Sequence, residues 1–291
     1  QAVSFPRARG ARRRLTMSSS SSDPQGRPLT FAAAALWTLL VVFLDAFFIG
    51  MTEAGREGAY LDLVSRTGCV ALAYSVVCFG ILRLHEPETS IRHVLALRAP
   101  SVVALMLAVV VGIAMSLPAE WLGQLMELRL PRSDQEQENF DRLYSVATTG
   151  KRVSLVISAV CIQPILDELY FRGAIFTPLR RTRRWETVVL ATAAFETLRS
   201  GSPRSMMIVL VVSLVFAWIR APTGSVFPSI LARMSFVAVG VIPMVMGRDL
   251  PKPTLAWLAG TTLLAVGGLL GLGLLSRRNA HLHLADDAES L

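Results

Sequence analysis

Histidine is nearly missing from the apolar parts of this 291-residue chain. The four histidines, His85, His93, His281 and His283, fall in a polar loop and in the C-terminal tail, and no predicted membrane span contains one. Ser/His/Asp catalysis therefore lacks its base, and HExxH and Walker-type motifs are absent as well. Cysteine is equally scarce. Cys69, Cys78 and Cys161 lie in apolar runs and form no CxxC pair, so they read as small buried hydrophobes, with neither a disulfide framework nor a metal knuckle. No cofactor and no metal is expected. Charge is thin too, at 17% of residues against 53% hydrophobic and a mean hydropathy of +0.50, which excludes an ordinary soluble domain. No paired, Gly/Pro-interrupted inverted repeat of the transporter kind is apparent.

What the chain does have is apolar blocks of membrane-spanning length. Eight candidate spans are predicted: Leu29 to Gly50, Thr67 to Leu84, Pro100 to Leu117, Val153 to Phe176, Glu186 to Leu198, Ser205 to Ile219, Ser225 to Met246 and Thr254 to Leu275. The expected fold is all-α, a polytopic membrane protein with about eight helices in one bundle. Residues 1–28 are Arg/Ser-rich and expected to be disordered, residues 29–276 form the membrane domain, and residues 277–291 form a tail. Met17 opens a plausible reading frame. Glu120 to Leu130 has apolar residues at helical spacing and is expected to form an interfacial amphipathic helix. Gly267 and Gly271 make a GxxxG pattern that suits close packing within the bundle.

The net charge of +8 is carried mostly by arginine, and its distribution gives a topology. One alternating set of connections holds the N-terminal arginines, Arg83, Arg92 and Arg98, then Arg180, Arg181, Arg183 and Arg184, then Arg220, then Arg277 and Arg278. The other set holds Glu53, Arg56 and Glu57, then Asp134, Glu136, Glu138 and Asp141, then Arg248, Asp249 and Lys252. By the positive-inside rule both termini are cytoplasmic, which suits a bacterial inner membrane. The arginines mark loops and meet anionic lipid heads. A nucleic-acid site is not expected, because no aromatic pattern is interleaved with them.

Several charges stand inside the apolar spans or at their ends. Asp167, Glu168 and Arg172 lie in the fourth, Arg199 ends the fifth, and Arg233 lies in the seventh. An ionised group at bilayer depth costs about 2.5 kcal/mol or more unless it is partnered, so these should converge. Glu168 and Arg172 are i,i+4 neighbours, with Asp167 rotated about 100° away. Counting residues from the cytoplasmic ends puts Glu168 roughly 15 Å deep and Arg233 roughly 12 Å deep, at 1.5 Å per residue. The expected arrangement is one cluster of Asp167 and Glu168 against Arg172, Arg199 and Arg233.

Asp167-Glu168-Leu-Tyr-Phe-Arg172, between Pro164-Ile and Gly173, resembles the EExxxR motif of the CAAX protease and bacteriocin-processing (CPBP) family of intramembrane endopeptidases. Phe195-Glu-Thr-Leu-Arg199 matches that family's FxxxH motif in position. Gly224-Ser-Val-Phe-Pro-Ser-Ile-Leu-Ala232 matches the lead-in to its HxxxN motif, with Arg233 and Val237 at the histidine and asparagine positions. The resemblance covers roughly 153–246. It implies a glutamate-dependent peptidase scaffold acting on hydrophobic or lipidated peptides in the membrane, with membrane lipids as neighbours. It also implies that Asp167 stands for the acid that activates water, and that Glu168 and Arg172 support it. Both histidines are replaced, and arginine neither accepts a proton near neutral pH nor ligates metal as imidazole does.

These residues support three readings. The first is a CPBP-like protein that has lost hydrolysis and serves as a binding or regulatory scaffold. The second is an active endopeptidase with an altered constellation, for which Tyr170 is the nearby proton acceptor. The third is a cluster that binds an anionic head group, set against salt bridges that only lock the helices together.

Overall fold

We describe residues 26–200, 202–248 and 254–289 of a computed structural model, with the side chains of the last helix followed as far as Ser276. The expected disorder over residues 1–25, the Met17 start, Asp249, Lys252 and the side chains of the tail lie outside the described residues. Nine principal helices stand among the described residues. They are α1 Phe31–Gly55, α2 Leu63–His85, α3 Val102–Arg129, α4 Asp134–Leu143, α5 Thr149–Thr182, α6 Trp185–Arg199, α7 Pro203–Thr223, α8 Phe227–Val245 and α9 Leu255–Glu289. Polar side chains start many of them by accepting otherwise unbonded amide hydrogens of the first turn. Thr30, Asp62, Ser101 and Thr148 do this for α1, α2, α3 and α5, and Ser133 forms a reciprocal capping box with Glu136 at α4.

Among the described residues seven helices are long and apolar enough to cross a membrane: α1, α2, α3, α5, α7, α8 and α9. The predicted fifth span is α6, whose 15 residues reach about 22 Å, short of a hydrocarbon core of about 30 Å. Its shortness ends the helix at Arg199, within reach of the acids of α5. Large apolar side chains point outward along the spans, among them Leu36, Phe43 and Phe47 of α1 and Leu263, Leu270 and Leu274 of α9. Such a surface is stable in lipid and not in water.

Two expectations are corrected here. The third span and the proposed interfacial helix are one helix, α3, which runs through Pro118 to Arg129. A proline removes one hydrogen bond of the ladder, but ending the helix in apolar surroundings would leave several more backbone groups unbonded. The solvated amphipathic helix is α4, with no buried residue. In the last span the tight packing comes from Gly268 and Gly271, not from Gly267: a methyl on Gly268 would run into Val111 of α3, while Gly267 faces open space. One-residue register on a helix rotates the side chain by about 100° and decides which glycine meets the neighbour.

The bundle has two apolar cores. Leu29, Val41, Tyr74, Val77, Tyr170, Phe171, Val188 and Phe195 form one between α1, α2, α5 and α6. Ala108, Val111, Phe216, Ile219, Ala232, Ala265 and Leu272 form the other between α3, α7, α8 and α9. Gly112 lets α3 and α8 approach so closely that a β-carbon there would overlap the backbone of Ala232, the residue before Arg233. The charged residues lie where the two cores meet.

Candidate active-site cluster

Helix α5 is not a uniform α-helix. It widens into π-helical turns at Val156–Ile162 and again at Leu169–Ile175, on either side of the α-helical Gln163–Glu168 that carries both acids. A π-turn displaces the ladder and rotates the residues beyond it, and such turns gather at functional sites. Arg220 Nε donates to the carbonyl of Arg172, in the second π-helical stretch, at 3.1 Å. Arg220 is 6% exposed, so the loop arginine of the topology argument is a buried brace between α7 and α5.

The five predicted charges converge. Arg233 fans across the acids: Nε donates to Glu168 Oε1 at 2.7 Å, Nη1 to Asp167 Oδ2 at 3.2 Å, and Nη2 to Glu196 Oε1. Arg199 Nη2 meets Asp167 Oδ1 at 3.0 Å. Arg172 Nε lies 3.4 Å from Glu168 Oε2, outside hydrogen-bond geometry. Its hydrogen bonds go elsewhere, from Nη1 to Glu196 Oε2 and from Nη2 to the carbonyl and hydroxyl of Ser213 at 2.6 and 2.7 Å. Ser213 Oγ in turn donates to Glu196 Oε2 at 2.6 Å. Glu168 and Arg172 are fully buried, and Asp167 and Glu196 nearly so.

Glu196 is the residue that sequence reasoning missed. With it the cluster holds three acids, Asp167, Glu168 and Glu196, and three arginines, Arg172, Arg199 and Arg233, and its formal charge is zero. The signal was present. Two acids against three arginines left an uncompensated buried charge, and Glu196 sits in the same apolar helix as Arg199.

The tyrosine beside the acids is also different from the one expected. Tyr74 of α2 donates to Asp167 Oδ1 at 2.7 Å, joined by Gln163 Nε2 at 3.3 Å. The Tyr170 hydroxyl lies 3.4 Å from Thr38 Oγ1, inside the α1–α2 core. Of the other motif positions, Phe195 packs into that same core, and Val237 lines a groove between α3, α7 and α8.

The chemistry open to this cluster is limited. Asp167 meets an N–H or O–H at both oxygens, and so does Glu196; Glu168 accepts from Arg233 at Oε1 and faces the Arg172 guanidinium at Oε2. Among the described residues no three His, Cys, Asp or Glu side chains converge to hold a metal ion.

Residues 149–239 match the family model described as type II CAAX prenyl endopeptidase Rce1-like, which spans the cluster on α5, α6 and α8 and stops before α9. No curated protein matches the chain. No solved structure matches it either.

Proposed function

We propose that this chain is an integral membrane protein built on the Rce1-like CAAX protease scaffold that residues 149–239 match, that its hydrolysis is lost, and that it acts as a binding or regulatory component in the membrane. Arg233 carries the reading. It stands where the resemblance calls for a histidine, and its guanidinium reaches all three acids at once. A group that never gives up its proton near neutral pH thus occupies the place of a base. Asp167, taken as the activating acid, is one methylene shorter than glutamate and is tied to Tyr74, Gln163 and both flanking arginines.

Membrane lipids are the constant neighbours, and a hydrophobic or lipidated peptide is the partner that such a scaffold suits. The arginine-rich connections support cytoplasmic termini in a bacterial inner membrane. The balanced charge removes the net positive field on which binding of an anionic head group rested, and favours the interhelical lock.

The test is cleavage of prenylated and hydrophobic peptides by the purified protein in detergent. The expected result is no cleavage above background. Cleavage that Glu168→Ala abolishes would overturn the proposal. Recovery of cleavage in Arg199→His with Arg233→His would assign the loss to the two arginines.

A further inference from the structure

Arg220 departs from a rule that the other buried charges keep. Among the described residues six charged side chains are buried: Glu86, Asp167, Glu168, Arg172, Glu196 and Arg220. Five of them stand in ion pairs, Glu86 with Arg181 and the other four within the cluster. Arg220 has no acid within ion-pair distance among the described residues, and its hydrogen bonds go to neutral groups. Nε donates to the carbonyl of Arg172 at 3.1 Å and Nη2 to Thr177 Oγ1 at 3.3 Å. The remaining nitrogen, Nη1, makes no hydrogen bond among the described residues and, unlike Arg199 Nε, is not closed off from the surface. A buried cation without a counter-charge is costly to keep.

Arg220 lines a cavity of about 270 Å³ between the α2–α3 connection, the end of α5 and the end of α7, with His93, Arg98, Thr177, Arg180 and Arg181. Among the described residues no acid lines it. Arg181 is paired with Glu86, which lies outside the cavity. Arg98 Nη2 donates to His93 Nδ1 at 3.2 Å and Arg180 Nη1 to the carbonyl of Arg183 at 3.2 Å, so neither has its charge answered. Three uncompensated guanidinium groups, one buried and two exposed, thus border one small space. That lining fits an anion with more than one charge and several acceptor oxygens. A phosphate monoester carries about −1.5 to −2 near neutral pH and offers three such oxygens, which suit the paired donors of guanidinium. A carboxylate would answer one charge of the three.

We propose that this cavity binds a phosphate monoester group, with Arg220 on its inner side and the exposed Arg98 and Arg180 at its mouth. The group has two sources, a lipid such as phosphatidic acid in the surrounding bilayer or a small phosphorylated molecule in water, and the same arginines serve both. A defined cavity differs from the diffuse attraction of arginine-rich connections for lipid heads. In the cavity Arg98 and Arg180 matter, whereas Arg92, exposed on the same connection as Arg98 but outside the cavity, does not. The site uses none of the acids of the cluster and is independent of the loss of hydrolysis.

The experiment is calorimetric and thermal-shift titration of the full chain in non-ionic detergent at constant ionic strength. Its arms are inorganic phosphate, acetate, and mixed micelles of phosphatidic acid set against phosphatidylcholine. Saturable binding with a raised unfolding temperature is expected for inorganic phosphate, for phosphatidic acid or for both, with acetate and phosphatidylcholine about tenfold weaker or worse. Phosphatidic acid alone would assign the lipid source, and inorganic phosphate alone the soluble one. Arg98→Gln and Arg180→Gln should each weaken binding by about tenfold, the worth of one charge-assisted contact, and Arg92→Gln should leave it unchanged. Arg220→Gln also breaks the brace to Arg172, so the variants at exposed positions carry the test. Four results would overturn the proposal: no saturable binding of either phosphate probe to the folded parent, acetate binding as tightly as phosphate, undiminished binding in both Arg98→Gln and Arg180→Gln, or an equal loss in Arg92→Gln. The last would mean attraction to the whole basic face.

Discussion

The cluster on α5, α6 and α8 and the small polar cavity beside it, lined by Asp45, Arg66 and Arg199 between α1, α2 and α5, share Arg199 but differ in how charge is paired. In the cluster three acids and three arginines cancel through six ion pairs, four of which are also hydrogen bonds. Glu168 Oε2, Arg172 Nε and Arg199 Nε of the cluster lack a hydrogen bond, and so does Asp45 Oδ1 beside it, so the regions differ in ion pairing: Asp45 has no ion pair among the described residues. Ion pairs shared between helices hold those helices together, and an acid that stands alone does not.

The largest effect should come from breaking the ion-paired cluster. Arg233→Ala removes the group that, among the described residues, contacts Asp167, Glu168 and Glu196 together. It should destabilise the protein by about 3–5 kcal/mol, the cost of leaving buried charge uncompensated. Chemical or thermal unfolding in detergent measures it. Adding Glu196→Gln to that variant should cost less than Glu196→Gln alone, because the two side chains share one network and their effects do not add. Additive losses would mean that the cluster is a set of separate contacts.

A smaller effect should come from the helix contact that places the cluster. Gly112→Ala forces α3 and α8 apart at Ala232, next to Arg233. About 1–3 kcal/mol of destabilisation is expected, as for overpacking a tight contact. Gly267→Ala faces open space and should be close to neutral. Equal costs at the two positions would refute the close approach.

The smallest effect belongs to the acid that stands alone. Asp45→Asn should leave stability unchanged or raise it by up to about 1 kcal/mol, because an unbonded acid oxygen is exchanged for a neutral amide. A loss as large as that of Arg233→Ala would show that Asp45 belongs to the structural network, and the contrast between the two regions would disappear.

Much of this site was legible beforehand, for a simple reason. Charge inside an apolar span is expensive enough that Asp167, Glu168, Arg172, Arg199 and Arg233 had to meet, and they do. Glu196 was overlooked although the same reasoning applies to it. Tyr74 gave no comparable signal, because a tyrosine is at home in an apolar helix and its partner Asp167 is 93 residues away. The widened turns of α5 were invisible as well, since the bonding pattern of a helix is set by what packs against it.

By itself the sequence determined the membrane setting, the helical class, the resemblance to the Rce1-like family over residues 149–239 and the absence of histidine from the predicted spans. These rest on composition, on periodicity and on which residue types stand at which spacing. Only the tertiary structure decided the partners: that Arg172 bonds to Glu196 and Ser213 rather than to Glu168, that Tyr74 rather than Tyr170 meets Asp167, and that Gly268 rather than Gly267 packs on α3. A helix turns about 100° with each residue, so the direction of a side chain depends on register and on crossing geometry that no local pattern carries.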